Sequence, residues 1–328
     1  MGNKSKKVLV TGGAGFIGSH LCERLLELGY KVKVFIRYNS RNSWGWLEES
    51  PYKDKMQIMA GDVRNFDSVK AAVKDTQIVF HLAALVGIPY SYCSPDSYVE
   101  TNIRGTVNIL QAARELGVKK VIHTSTSEIY GTAKTIPIDE QHPINPQSPY
   151  AASKIAADLM ALSFYRCFDL PVTIVRPFNT YGPRQSARAI IPTIITQILS
   201  GKKIIKLGTL RPTRDFTYVK DIVNGFIKAA DNPNSTSEII NLGSNFEISV
   251  EALLKLISGI METKVKVISD MERKRPSKSE VLRLWADNKK AQRMLNWKPQ
   301  YSLEEGLKET IDWFKRSTGL YKSHIYNV

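Results

Sequence analysis

Cysteine, histidine and long apolar runs are scarce in this chain. It has three cysteines and five histidines, with no Cys-x-x-Cys pair and no metal-ligand spacing. A disulfide framework or a structural zinc site needs such sets. The longest apolar runs have the length of a strand, and the basic opening residues are followed by no apolar segment. We therefore expect free thiols, no metal, no membrane span and a cytoplasmic protein.

The chain also has no excess of acidic residues. The chain has 46 Lys and Arg against 31 Asp and Glu, a formal net charge of +15. Such a surplus suits an anionic ligand, and it would suit nucleic acid as well. The lysines are scattered and form no stripe with aromatic residues. We therefore expect an anionic small molecule and no nucleic acid as the partner.

Strand-like and helix-like segments alternate from residue 7 to about residue 180. This alternation is typical of an α/β protein with a doubly wound parallel sheet. Strands are expected at 7–10, 32–36, 56–60, 78–82, 121–125 and 172–176. Several of these are apolar on both faces, as burial between two helical layers requires.

A smaller C-terminal lobe is expected where the alternation ends, because helical patterns then follow at 186–200, 249–260, 287–295 and 303–316. The apolar run at 238–242 suits a strand that returns to the main sheet. We therefore predict one domain over 1–180 plus about 215–245, and a second over about 181–214 and 246–328. A chain of 328 residues with 43% hydrophobic content is large enough for both.

A glycine-rich turn directly follows the first strand and precedes an amphipathic helix expected at 19–28. Gly12 permits the tight turn, Gly15 lets a pyrophosphate approach the backbone, and Gly18 lets the helix pack on the strand. The free N–H groups of the helix start, near Phe16 and Ile17, then point at the phosphates. The order of strand, turn and helix predicts a dinucleotide site.

The end of the second strand has no acidic residue. An Asp or Glu there hydrogen-bonds the adenosine ribose and favours NAD, whereas a basic residue accommodates the 2′-phosphate of NADP. The chain has Arg37 at this place. We therefore favour NADP, and NAD remains open because an arginine can also stack on adenine.

Tyr150 and Lys154 are the strongest catalytic candidates. Four residues apart on a helix, they lie on one face, so the ammonium can favour the phenolate and let the phenol act as a base. Thr126 can hydrogen-bond the same substrate oxygen, and Glu128 offers a second base. Helices also produce such Tyr/Lys pairs by chance. The pair gains weight from the dinucleotide turn in the same chain.

The motifs taken together resemble those of the extended short-chain dehydrogenase/reductase family, and within it the nucleotide-sugar epimerases and dehydratases. The resemblance covers nearly the whole chain. Besides the glycine turn and the Tyr/Lys pair, it rests on the segments 61–63, 81–84, 102–106, 176–184, 214–219 and 275–276. It implies a Rossmann sheet with a substrate-binding C-terminal lobe, and a homodimer formed through helices near 99–116 and 149–168.

The same resemblance implies roles for several binding residues. On the dinucleotide side these are Asp62, Val63, Leu82, Ala83 and Ala84, with Asp62 near the adenine amine. On the substrate side, Arg214 and Arg275 match the arginines that hold a sugar-nucleotide diphosphate, where a guanidinium makes paired hydrogen bonds. Asn179 matches the side chain near the sugar and first phosphate.

Ser127 and Glu128 bear on the choice of reaction. By resemblance, 4-epimerases have small or apolar residues here, whereas 4,6-dehydratases have an acidic residue at the place of Glu128. Once C4 has been oxidised, that carboxylate removes the acidified C5 proton, water leaves from C6, and a 4-keto-6-deoxy sugar results. Many dehydratases have Asp where this chain has Ser127, so Glu128 would then serve as both base and acid. A nucleotide-sugar 4,6-dehydratase is therefore the expected function.

Two alternatives stay open: a nucleotide-sugar 4-epimerase, and an enzyme like the UDP-glucuronate decarboxylases, which also carry Ser-Glu. The segment 38–47 resembles the N-acetylhexosamine dehydratases of nonulosonate pathways. UDP- or GDP-N-acetylglucosamine is therefore the expected substrate.

Overall fold

The computed structural model describes residues 6–323 and 325–326. Its strands are β1 Lys7–Thr11, β2 Lys31–Arg37, β3 Gln57–Gly61, β4 Ile78–His81, β5 Lys120–Thr124, β6 Val172–Pro177, β7 Asn179–Tyr181, β8 Ile204–Leu207, β9 Thr213–Tyr218, β10 Ile239–Leu242, β11 Glu247–Ser249, β12 Lys266–Ser269 and β13 Arg283–Leu284. Seven of them form one parallel sheet in the order β10-β6-β5-β4-β1-β2-β3. The strand order reverses between β1 and β4. In open α/β sheets a crevice for ligands opens at the carboxyl ends of the strands at such a point.

Helices cover both faces of this sheet, and others pack beside the smaller strands of the C-terminal half. They are α1 Phe16–Glu27, α2 Phe66–Val73, α3 Ile88–Cys93, α4 Pro95–Tyr98, α5 Gly105–Glu115, α6 Pro149–Phe168, α7 Ile190–Leu199, α8 Val219–Asp231, α9 Val250–Ile260, α10 Lys289–Leu295 and α11 Leu303–Arg316. Alternate residues of β1 enter different cores, because Val8 and Val10 belong to one buried cluster and Leu9 to another. Burial on both faces confirms the predicted α/β doubly wound Rossmann sheet.

Three predicted helices differ in detail from the structure. The helix after the glycine turn begins at Phe16, three residues before the predicted start, because the turn leads directly into its first N–H groups. The helix expected at 99–116 consists of a π-helical turn, Val99–Arg104, followed by α5. The helix expected from residue 186 begins at Ile190, after an extended residue at Ala189.

A second, smaller sheet carries part of the C-terminal half. In this sheet β9 pairs with β7, β11 and β13. A separate two-stranded sheet is formed by β8 and β12. Residues 213–218 therefore lie in the smaller sheet, whereas β10 pairs with β6 of the main sheet. Since β7 follows β6 after one residue, the smaller sheet begins at the carboxyl edge of the main one. That position brings C-terminal residues to the crevice.

Thiols, helix lengths and possible metal ligands are described for the same part of the chain. Cys22, Cys93 and Cys167 are free thiols. Over residues 6–323 and 325–326, no helix combines the length and apolarity that crossing a bilayer requires. No group of three or more His, Cys, Asp or Glu in the same ranges could hold a metal ion.

Candidate active site

The glycine turn between β1 and α1 has no room for side chains at two of its positions. Gly12 has a φ of +70°, and a Cβ there would lie 2.9 Å from the backbone nitrogen of Ala83. A Cβ at Gly18 would lie 2.3 Å from the carbonyl oxygen of Gly12. Both neighbours are backbone atoms that cannot move independently. The turn is therefore held in one conformation by glycine, and it lies against the segment that follows β4.

The start of α1 leaves its backbone donors free. Gly15, which precedes the helix, makes no side-chain cap. Among the described residues, no acceptor takes a hydrogen bond from the N–H groups of Phe16, Ile17 or Gly18. Free N–H groups and the positive end of the helix dipole together favour an anion. The residues present therefore fit the pyrophosphate of a dinucleotide.

The segments after β2, β3 and β4 lie beside this turn. The Thr11 hydroxyl accepts hydrogen bonds from the N–H groups of Leu82 and Ala83, at 3.2 and 3.1 Å, which fixes the segment that continues to Ala84. Arg37 ends β2 with an exposed side chain and pairs in register with Gly61 of β3.

Asp62 and Val63 follow β3. The Asp62 carboxylate accepts hydrogen bonds from Arg64, with Nη2 2.6 Å from Oδ2. This hydrogen bond lowers the pKa of Asp62. The adenine contact expected of Asp62 stays a prediction, and Arg64 is a partner that the sequence did not suggest. Val63 is buried in the core.

Tyr150 and Lys154 lie one turn apart in the first part of α6. Ser148 is the N-cap of this helix, and its side chain accepts a hydrogen bond from the N–H of Ala151. Tyr150 is 8% and Lys154 4% exposed. Burial raises the pKa of Tyr150, and a hydrogen bond with Thr126 opposes that rise. Burial lowers the pKa of Lys154 to about 8, opposed by the charge of Asp158. The geometry therefore joins a phenol, a hydroxyl and a cation at one place.

Glu128 lies between the catalytic pair and the small sheet. It belongs to a short turn, Ser127–Tyr130, whose start is capped when the Thr126 hydroxyl accepts from the N–H of Glu128 at 3.2 Å. Its negative charge adds to the raised pKa of Tyr150, and at Arg214 it opposes the lowering of the pKa by burial. Glu128 is 8% exposed, and among the described residues no donor hydrogen-bonds its carboxylate. The carboxylate therefore keeps its acceptor sites free for a ligand beside Tyr150.

The residues expected to hold the substrate converge on the same crevice. Asn179 begins β7, and its buried Oδ1 has no hydrogen-bond partner in the described part of the chain. Arg214 lies in β9 and is 7% exposed, and burial lowers its pKa. Nη2 of Arg214 lies 3.5 Å and Nη1 of Arg275 3.9 Å from the same oxygen of Glu280. The structure therefore brings both arginines to the carboxylate of Glu280, a residue that the sequence did not indicate.

The sequence also did not predict a buried polar network that lies one helical turn beyond Lys154. Asp158, one helical turn after Lys154, accepts hydrogen bonds from Ser125 at 2.7 Å and from Nη2 of Arg176 at 3.1 Å. Its other oxygen lies 3.2 Å from Nε2 of His123. The four-residue spacing from Lys154 was a signal in the sequence that could have pointed to Asp158. These contacts anchor the middle of α6 to β5 and β6.

Comparisons with known proteins identify the family. A family model described as GDP-mannose 4,6 dehydratase matches residues 9–310. The chain belongs to the nucleotide-sugar epimerase and dehydratase family of extended short-chain dehydrogenases/reductases. The motifs in the sequence predicted this family correctly.

Relatives within the family differ in reaction. The chain is 33% identical to a putative UDP-glucose 4-epimerase of Methanocaldococcus jannaschii, over 94% of this chain and 99% of that one. It is 36% identical to a UDP-N-acetyl-alpha-D-glucosaminuronate decarboxylase of Bacillus cytotoxicus, over 94% and 98%. The solved dTDP-glucose 4,6-dehydratase DesIV of Streptomyces venezuelae, with NAD bound, has a TM-score of 0.86 at 30% identity, covering 96% and 99%. The family thus contains epimerases, decarboxylases and dehydratases.

Proposed function

We propose that this protein is a nucleotide-sugar 4,6-dehydratase that acts on a nucleotide-activated hexose, with UDP- or GDP-N-acetylglucosamine as the leading substrate. The observation that carries this proposal is the Glu128 carboxylate, which lies beside Tyr150 and accepts no hydrogen bond from the described residues. Hydride transfer at an alcohol needs only one base. A second base at the same place, the Glu128 carboxylate, supports a reaction in which a carbon-bound proton is also removed.

The first step uses Tyr150 as the base for the sugar C4 hydroxyl. Lys154, one helical turn away, would supply the positive charge that favours the phenolate, and Thr126 hydrogen-bonds to Tyr150. The nicotinamide, when bound, supplies the reversible redox chemistry of the sugar carbons. The free N–H groups at the start of α1 would hold its pyrophosphate in place.

Elimination then falls to Glu128. A ketone at C4 makes the C5 proton acidic, and a carboxylate within reach removes it. The hydroxyl on C6 must leave as water and therefore needs a proton. Ser127 has no acidic group, so Glu128, having just accepted the C5 proton, is the group available to deliver it. The C5 proton thus leaves with the departing water. C6 then takes back the hydride that left C4, and C5 takes up one proton, which replaces the proton that Tyr150 removed from the C4 hydroxyl. The 4-keto-6-deoxy sugar results, and the side chains return to their starting states.

The substrate grip is proposed for Asn179, Arg214 and Arg275. Two guanidinium groups that converge on the Glu280 carboxylate can converge on a diphosphate, because both anions present paired oxygens. These arginines come from β9 and from the segment before β13. We propose the domains expected from the sequence, about 181–214 with 246–328 as the substrate lobe and 1–180 with about 215–245 as the dinucleotide domain. One adjustment follows from the fold, because all of β9, Thr213–Tyr218, pairs in the smaller sheet and therefore goes with the substrate lobe.

We also propose NADP as the preferred cofactor and a homodimer as the assembly. Arg37 is exposed at the end of β2, where its guanidinium can meet a 2′-phosphate. Exposed apolar side chains on the segments expected to pair between subunits, Val99, Leu159 and Phe168, support the dimer. Titration with both dinucleotides and a sedimentation measurement test these two points.

Epimerase and decarboxylase activities are the alternatives, since relatives of similar identity carry those names. A panel of UDP-, GDP-, CDP- and dTDP-sugars, followed by proton NMR, separates the three. A dehydratase gives a new methyl signal from the 6-deoxy product. An epimerase inverts C4 without a methyl signal, and a decarboxylase releases carbon dioxide from a uronate only.

Glu128→Gln tests the role of the carboxylate directly. The amide cannot take the C5 proton, so we expect 6-deoxy product to form at least about a hundredfold more slowly, while some oxidation at C4 remains visible as reduced cofactor. Glu140→Gln is the matched control, because Glu140 is a partly buried carboxylate whose partner is the N–H of Asn241. Product formation by Glu128→Gln at the wild-type rate would sink the assignment.

A further inference from the structure

The connection between β2 and β3 folds back onto the glycine turn. The N–H of Trp46 donates to the carbonyl oxygen of Ala14 at 3.2 Å, and the next residue, Leu47, is fully buried. Ala14 lies in the middle of the turn that precedes α1. A hydrogen bond to its carbonyl therefore restrains the Ala14–Gly15 peptide unit, whose own N–H donates to Gly12 and which directly precedes the free N–H groups of Phe16, Ile17 and Gly18.

Gly45 makes this approach possible. Its φ is +57°, and a Cβ there would lie 2.7 Å from the carbonyl oxygen of Ala14. A side chain would thus meet both a strained backbone conformation and a backbone atom of the turn. Glycine at position 45 therefore allows the connection to approach the glycine turn this closely.

The indole ring of Trp46 extends this contact to the C-terminal part of the chain. Its centroid lies 5.5 Å from that of Trp313 in α11, edge to face, and 6.4 Å from that of Tyr321, stacked. Trp313 and Tyr321 are themselves 6.1 Å apart. We call Trp46, Trp313 and Tyr321 the aromatic clasp. Aromatic pairs at these separations attract each other beyond the area that they bury.

The clasp also reaches the substrate side. The hydroxyl of Tyr321 donates to the carbonyl oxygen of Gln185 at 2.9 Å. Gln185 lies in the segment between β7, which begins at Asn179, and α7. One set of three rings therefore connects the phosphate-binding turn with the loop that follows the proposed sugar contact.

We propose that the aromatic clasp retains the dinucleotide throughout the catalytic cycle, with Trp46 as the positioning residue that holds the glycine turn closed. This inference rests on the nicotinamide dinucleotide site proposed above. In a reaction that regenerates its own cofactor, a dinucleotide that leaves after the first step abandons an oxidised sugar. Slow dissociation is therefore required, and a turn tied to α11 opens only when the clasp opens.

Trp46→Ala tests the clasp through dissociation of the cofactor, without any sugar substrate. Wild-type and variant chains are loaded with NADH or NADPH and mixed with excess oxidised dinucleotide, and the fluorescence of the reduced nicotinamide reports its release. We expect release to become about tenfold faster, the equivalent of one aromatic pair. Trp46→Phe keeps a ring at this place and should release the dinucleotide at nearly the wild-type rate.

The matched control is Tyr52→Ala. Tyr52 is an aromatic residue of the same connection, and its hydroxyl contacts Glu27 at 3.5 Å instead of the glycine turn. Its loss should leave the release rate unchanged. A double variant, Trp46→Ala with Trp313→Ala, should release the dinucleotide no faster than Trp46→Ala alone, because Trp46→Ala already removes both ring contacts that Trp46 makes with the clasp. Circular dichroism and thermal melting identify any variant that fails to fold.

The outcomes separate the clasp from the proposed function. If the wild-type chain binds neither NADH nor NADPH, the dinucleotide site and the clasp both fall. If the wild type binds one of them and folded Trp46→Ala releases it at the same rate, the clasp alone is wrong. Release that is accelerated equally by Tyr52→Ala would also overturn it, since the effect would then belong to the whole connection.

Discussion

The dinucleotide side and the substrate side of the crevice are built in different ways. On the dinucleotide side, residues 12–18 are contiguous, and their conformation is set by glycines whose Cβ positions are filled by backbone. On the proposed substrate side, Asn179, Arg214 and Arg275 come from separate segments, and the two arginines face Glu280. The conformation of the first side is therefore set by the local backbone, whereas on the second side a bound diphosphate would have to replace existing ionic contacts.

Gly18→Ala should break the dinucleotide side with the largest effect. The added Cβ would lie 2.3 Å from the carbonyl oxygen of Gly12, so the turn must shift and misdirect several N–H donors. Each charge-assisted hydrogen bond lost costs about 1.5–3 kcal/mol, and we expect the dinucleotide Kd to rise about a hundredfold or more. Calorimetric titration with NAD and NADP measures it.

A control variant and a second ligand test whether the effect of Gly18→Ala is confined to the dinucleotide side. Gly259→Ala in α9 is the control, because nothing lies within 4 Å of its Cβ position. Binding of UDP or GDP alone should be unchanged in Gly18→Ala if the two sides are independent. A parallel loss of nucleoside diphosphate binding would contradict the distinction between the two sides.

Arg214→Ala should break the substrate side with the next largest effect. The guanidinium is buried and lies near both Glu128 and Glu280, so its loss removes a phosphate contact and leaves two carboxylates less neutralised. We expect KM for the nucleotide sugar to rise about 10- to 100-fold. The dinucleotide Kd should stay at the wild-type value. Arg211→Ala, at an exposed arginine three residues earlier, should change neither constant.

These two sides also differ in how far the sequence predicts them. The roles expected of Gly12 and Gly18 need only a strand, a turn and a helix in order, and the structure puts a glycine wherever backbone would collide with a Cβ. The pair Tyr150 and Lys154 needs only one helical turn. Such features depend on local spacing, so they can be predicted from the chain alone.

Contacts between distant segments could not be predicted in this way. The sharing of Glu280 by Arg214 and Arg275 depends on where the loops around β9 and β13 meet. The π-helical turn Val99–Arg104 has the same apolar spacing as an α-helix, so the pattern did not distinguish them. The contact of Trp46 with Trp313 joins segments at opposite ends of the chain. Tertiary packing decides all three.

The pH dependence of turnover should report on Lys154, at the junction of the two sides. Burial lowers its pKa to about 8, so the side chain is a cation below that pH and neutral above it. The phenolate of Tyr150 loses its favourable neighbour as the ammonium deprotonates. We therefore expect kcat to fall up to about tenfold per pH unit above about 8. Steady-state kinetics between pH 6 and about 10 measure this limb.

Lys154→Arg supplies the comparison for that profile. Arginine stays charged throughout this range, so the variant should be slower overall and yet show no decline that begins near pH 8. The same decline in Lys154→Arg would assign the limb to another group.

Glu280→Gln should have the smallest effect, and it should strengthen binding of the ligand where the other variants weaken it. The carboxylate of Glu280 lies 3.5 Å from Arg214 and 3.9 Å from Arg275, so a diphosphate must compete with it for both guanidinium groups. An amide of the same shape removes that competition, and it also removes a negative charge from the neighbourhood of the phosphates. We expect UDP or GDP to bind about two- to fivefold more tightly, equivalent to about 1 kcal/mol or less. Calorimetric titration in low and high salt measures it, and the gain should shrink with salt because it is a charge effect. Weaker binding would mean that Glu280 itself receives a hydrogen bond from the ligand, and the substrate side would then be as fixed in its contacts as the glycine turn.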